Sequence, residues 1–190
     1  MTLLALVGGV PLEKIKPFVR TGFSIDSKQR LRSEIERSGV ELSYKKPGLY
    51  PIYDDLYMMM ANHQYGFRGV DADDLTQATL QARREVNDVI RGLRSLGDPW
   101  IPLRLVATAD QIGVREGRRI HGLYTVTKED LIHGARHDDA VCRVTFGVDV
   151  HSTSKDHDVQ GRGYSRGVNS KPYDIPLRAL IAKDVNGLMM

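Results

Sequence analysis

The 190-residue chain holds one cysteine, Cys142. That count excludes an internal disulfide framework and a multi-cysteine zinc site. Cys142 lies in the strand-like stretch Val141-Cys142-Arg143-Val144 and is read as a small buried hydrophobe rather than a nucleophile. Long apolar runs are missing too. The stretch Thr2 to Val7 is too short to cross a membrane and has neither a basic flank nor a cleavage site. No membrane partner is expected, and a cytoplasmic location is the default. There is no block of like charge. The 27 Lys and Arg are spread among 24 Asp and Glu for a net +3, which leaves no basic stripe for nucleic acid. The G-x-G-x-x-G turn that cradles a dinucleotide pyrophosphate is absent as well. Gly8-Gly9 has no third glycine at the right offset. Gly161, Gly163 and Gly167 miss the spacing by one and sit in a polar segment.

What is present suits one globular domain: 41% hydrophobic and 27% charged residues, over a length that supports a sizeable core. Thr2 to Val7 reads as a buried strand, closed by Gly8-Gly9-Val10-Pro11. A short helix is expected over Leu12–Arg20 and a second over Ser27–Ser38, stopped by Gly39. Val40–Lys45 alternates like an edge strand. Leu49–Asn62 reads as one or two strands whose tyrosines and methionines are core. The clearest element is a helix over Asp73–Leu96. Leu75, Ala78, Ala82, Val86, Val89, Leu93 and Leu96 fall on one face, with Asp71, Asp73 and Asp74 at the start. Strands follow over Ile101–Asp110 and His121–Val126. Thr127 and Asp130 have the form of a helix N-cap for a short helix over Glu129–Gly134. Val141–Val150, Ile175–Leu180 and Val185–Met190 read as further strands, and 152–172 as a long polar loop. Strands that outnumber helices without alternating with them predict an α+β fold: a mainly antiparallel sheet packed against one long helix and a few short ones.

Two runs carry the functional signal, GVREGRRIHGLYTVTKEDL from Gly113 and YDIPLRAL from Tyr173. Together they resemble the C-terminal half of the fumarate-reductase-like family of FAD-dependent oxidoreductases. There an arginine-rich R-E-S-R-R-I-x-G-x-Y-x-L-T-x-x-D segment precedes Y-x-I-P-Y-R-x-L. Leu177 departs from that pattern, standing where the family more often has an aromatic.

The resemblance implies that residues 1–190 form a single substrate-side domain cut from a larger flavoprotein, inactive alone. FAD would be bound by the full-length protein and not by this chain. The expected partners are the FAD-binding domain of the same chain and a small-molecule substrate. Apolar strands at both ends would promote self-association into a homo-oligomer. The competing reading is a stand-alone α+β binding or assembly module without catalysis.

The resemblance also assigns site residues. Arg115 and Arg118 would anchor the substrate, since a guanidinium is a planar, permanently charged fork suited to a carboxylate. Arg119 is read as a surface or ion-paired residue. Arg178 would join the substrate anchors, and Tyr173 would face the cofactor. Asp149 and His151 match a D-x-H of the family, and His151 would accept or give up a proton as hydride moves. His133 and His137 are four apart, but Gly134 interrupts the segment, so no metal site is assigned.

Overall fold

The structure, a computed structural model, describes residues 1–22, 26–115, 117–148, 154 and 169–190. The chain divides into two units, Met1–Gly117 and Arg118–Met190.

The first unit is built on a four-stranded antiparallel sheet. Strand β1 (Ala5–Gly8) lies inside it, with Ala5 and Val7 buried. Gly9, at φ +99°, turns the chain out of the strand in a conformation that a side chain would disfavour. The expected helix after Pro11 is one turn, α1 (Leu12–Ile15), followed by a 3₁₀ turn over Lys16–Phe18. Helix α2 (Asp26–Arg37) buries Leu31 and Ile35 and keeps its charges outside, where Arg32 meets Glu36 at 2.7 Å and Arg37 meets Glu34 at 2.8 Å. Strands β2 (Gly48–Tyr53) and β3 (Leu56–Met60) form a hairpin, turning at Asp54, whose φ is +41°. Helix α3 (Ala72–Ser95) follows, and β4 (Arg104–Thr108) closes the sheet in the order β2-β3-β1-β4.

The register places Ala5 opposite Met59 and Val7 opposite Tyr57, so alternate residues of both strands reach the same core. Leu31 and Ile35 of α2 and Val86, Val89 and Leu93 of α3 complete it, around the fully buried Trp100. A smaller cluster joins Ala78 and Ala82 of α3 to Leu3 and Ile112. Each fully buried aliphatic side chain stabilises by about 1.5–3 kcal/mol. The α+β architecture with one long helix on an antiparallel sheet is thus the observed one. Asp71 caps α3, its carboxylate accepting from the Asp73 and Asp74 amides at 3.1 and 3.0 Å.

Residues 40–45 form no strand, contrary to the alternation. The Ser43 amide donates 2.7 Å to the Glu85 carboxylate, and the Ser43 hydroxyl lies 2.7 Å from both Glu85 oxygens. A side chain of α3 satisfies the donor that a sheet would have used.

The second unit begins with irregular chain. The alternation over His121–Val126 gives only an isolated bridge between Gly122 and Ala182, not a strand. Helix α4 (Lys128–His133) starts in the expected capping box of Thr127 and Asp130 and ends at Gly134, φ +70°. Strands β5 (Ala140–Val144) and β6 (Tyr173–Pro176) pair antiparallel, Arg143 opposite Asp174. Beyond β6 the chain makes a 3₁₀ turn over Leu177–Ala179, and 185–190 contributes one bridge, Met189 to Ile181, rather than a strand. Cys142 is exposed, because β5 turns most of its side chains to solvent. No helix among the described residues is long and apolar enough to cross a membrane.

Candidate functional site

The second unit is held by carboxylates more than by apolar burial. Among its described apolar side chains only Ala182 and Pro176 are buried. Asp174, in the middle of β6, is 5% exposed and collects cations. Arg136 Nη1 donates to its Oδ1 at 2.9 Å, and Arg143 Nε donates to the same oxygen at 3.1 Å. The His137 amide approaches Oδ2 at 3.4 Å. Burial alone would raise this carboxyl. Hydrogen bonds from Arg143 and Arg136 outweigh it, and the net shift is downward.

A second set of contacts surrounds Arg178. Its Nη1 is paired with Asp139 Oδ1, and its backbone amide donates to Asp139 Oδ2 at 3.1 Å. Burial would raise Asp139, but the backbone hydrogen bond and charge of Arg178 hold it below the ordinary value. Arg178 Nη2 donates to His137 Nδ1 at 2.9 Å, and the guanidinium stacks 4.8 Å over the Tyr124 ring. His137 meets the same ring edge-on at 5.1 Å. The Tyr124 hydroxyl donates to Asp130 at 2.8 Å, and that bond to a carboxylate raises the phenol's pKa. Asp130 is itself lowered, chiefly by the Thr127 amide. One cap, one aromatic ring, one imidazole and one guanidinium therefore form a connected polar wall.

The sequence-assigned residues are distributed unevenly over this frame. Arg115 belongs to the first unit and is exposed. Burial and then the Arg115 charge depress the Met1 ammonium, which places Arg115 beside the chain's first residues. Arg118 belongs to the second unit. It is exposed and makes no hydrogen bond or ion pair among the described residues. Tyr173 opens β6 half-buried, opposite Val144. Arg178 has its fork engaged by Asp139 and His137. His151 and Asp149 lie outside the described residues, as does 152–172 except for Ser154 and 169–172.

His133 and His137 do not cooperate. His133 Nδ1 sits 3.0 Å from the Glu129 carbonyl oxygen, whereas His137 Nδ1 faces Arg178. No group of three ligating side chains that could hold a metal occurs among the described residues. Sequence reasoning missed Asp139 and Asp174. The signal available was an acid beside each strand pattern, Asp139 just before β5 and Asp174 within β6.

The first unit carries its own polar cluster. Gln64 Nε2 donates to Glu85 at 3.1 Å, the His63 amide to the Ser43 hydroxyl at 2.9 Å, and the His63 ring stacks 4.0 Å from Tyr44. These contacts fix the exit of β3 onto α3.

Residues 5–190 match the family model described as FAD dependent oxidoreductase, so the chain belongs to that family. No curated protein and no solved structure matches it. The N-termini of α3 and α4 do not suit the pyrophosphate half of FAD. Such a group needs bare amides at a helix N-terminus. The first amides of α3 are taken by Asp71, with Asp73 and Asp74 adding negative charge, and those of α4 by the Thr127–Asp130 box.

Proposed function

We propose that this chain supplies the substrate side of a fumarate-reductase-like FAD dependent oxidoreductase, and that a glycine-rich region outside these 190 residues holds the cofactor. FAD, when bound there, supplies the hydride chemistry. This chain's residues bind and orient the substrate. Arg118 anchors a substrate carboxylate. Tyr173 lies toward the flavin side, and His151 exchanges a proton with the substrate. Arg178 acts through its contacts, keeping His137 and Tyr124 in place. The chain is inactive without its FAD-binding partner region.

One observation carries this reading. Within the second unit Arg136, Arg143 and Arg178 each donate to a buried or half-buried aspartate, whereas exposed Arg118 has no hydrogen bond or ion pair among the described residues. A cation without a counter-ion among the described residues suits a ligand's negative charge. The test is kcat/KM of the assembled flavoenzyme carrying Arg118→Ala, beside Arg37→Ala. Loss of a charged anchor costs about 2–5 kcal/mol, whereas a surface arginine such as Arg37 stays within about 0.5 kcal/mol. Normal kcat/KM in both variants, with normal flavin content, would remove Arg118 from the site.

A further inference from the structure

We propose that Arg136 and Arg143, drawn together by Asp174, form a second oxyanion site in the Arg118–Met190 unit, one that takes a carboxylate or phosphate group. The proposal rests on this pair alone and stands whether or not Arg118 binds substrate.

Both guanidinium groups donate to one oxygen, at 2.9 and 3.1 Å, so the two donor nitrogens are no more than about 6 Å apart. Two unit positive charges at that range repel each other. One aspartate offsets only one of them, so the trio Arg136–Asp174–Arg143 keeps a net positive charge. Asp139 does not relieve it, because it is taken by Arg178. Asp138 lies next in sequence to His137 but pairs with neither arginine.

The donors left over remain usable. Arg136 spends one Nη1 bond on Asp174, and Arg143 spends its Nε. A guanidinium carries five N–H groups, so most of both forks is unspent. The Arg136 and Arg143 side chains are 49% and 57% exposed, while Asp174 beneath them is 8% exposed. The carboxylate thus acts as a buried anchor and the two forks as its accessible rim. Anchoring also fixes rotamers that a free arginine would lose on binding, which lowers the cost of capturing a ligand. The opposed positions of Arg143 and Asp174 across β5 and β6, with Arg136 just past α4, make the spacing a property of the fold. A planar or tetrahedral oxyanion is the group whose paired oxygens match two adjacent forks.

The experiment is a titration of the 190-residue chain with inorganic phosphate and, separately, with succinate, at constant ionic strength. Protection of each arginine from a dicarbonyl reagent is read by mass spectrometry. Arg136 and Arg143 should be protected at least fivefold by one or both anions with saturation, while Arg30 and Arg37 stay unprotected. Protection by phosphate alone identifies a phosphorylated ligand, and protection by succinate alone a carboxylate ligand. Arg136→Gln and Arg143→Gln, each leaving Asp174 one partner, should weaken the anion's apparent affinity about tenfold. The inference fails if neither anion protects the pair in the wild-type chain. It also fails if a folded single variant binds as well as the wild type.

Discussion

Arg178 Nη2 lies 2.9 Å from His137 Nδ1. Arginine has only donors, so the imidazole nitrogen must accept, and the proton of neutral His137 resides on Nε2. That Nε2 is buried with no hydrogen-bond partner among the described residues. The expected outcome in long-range nitrogen–proton spectra is an unprotonated Nδ1 and a protonated Nε2 for His137. In Arg178→Ala the tautomers should mix. A wild-type His137 protonated at Nδ1 would break the proposed link.

Acid should loosen the second unit through Asp139 and Asp174. Both folded pKa values are depressed. Their contribution is therefore complete above the unfolded aspartate value of about 3.9 and is lost as pH falls from there through the lowered folded values. Urea midpoints at neutral pH and at pH below that value should diverge. Asp174→Asn should be less stable at neutral pH and less sensitive to acid. Equal acid sensitivity in wild type and variant would assign the effect to other groups.

Trp100→Ala should cost about 3–5 kcal/mol in urea unfolding. The indole is fully buried in the main core and donates Nε1 to Glu34 at 3.0 Å. Trp100→Phe should recover most of the loss. A small loss for Trp100→Ala would mean that the core around α2 and α3 collapses into the space.

Asp71→Ala should cost about 1 kcal/mol, the usual worth of an N-cap. Its carboxylate serves two amides of α3 and also holds Arg68 Nη2 at 2.7 Å. Asp71→Ser should restore most of that stability, since a hydroxyl also caps. Equal losses for both changes would point to the Arg68 contact instead.

The chain by itself should not take up FAD. Calorimetric titration of FAD should show no stoichiometric binding tighter than about 1 μM, roughly −8 kcal/mol. Tight binding would contradict the misfit at the α3 and α4 N-termini and place the cofactor on these residues.

Long-range periodicity was easy to read. The face Ala78, Ala82, Val86, Val89 and Leu93 required nothing but spacing, and it is buried as expected. The Thr127–Asp130 box was equally local, and both its hydrogen bonds form. Short alternations misled because partners decide them. Ser43 turns to Glu85, and 121–126 finds only the Gly122–Ala182 bridge. The buried reading of Cys142 failed for a related reason: a two-stranded sheet leaves β5 little to pack against. Of the two runs, the second supplies Arg178 to the carboxylate-anchored network, and the first supplies Tyr124, Thr127 and Asp130. The runs did not reveal which guanidinium groups are anchored, because that depends on Asp139 and Asp174 meeting them from distant sequence.

Asn62, just past β3, ties the end of that strand to Leu3. Fully buried, its side-chain oxygen accepts from the Leu3 amide at 3.0 Å and its nitrogen donates to the Leu3 carbonyl at 2.9 Å. A side chain stands where a neighbouring strand would be, and only a primary amide offers one donor and one acceptor at that reach. Deamidation would replace the donor with a second acceptor aimed at the Leu3 carbonyl, leaving two like dipoles face to face in the core. Chemical ageing at this one position would therefore act as a conformational fault, and chains that spend longest unfolded would accumulate it fastest.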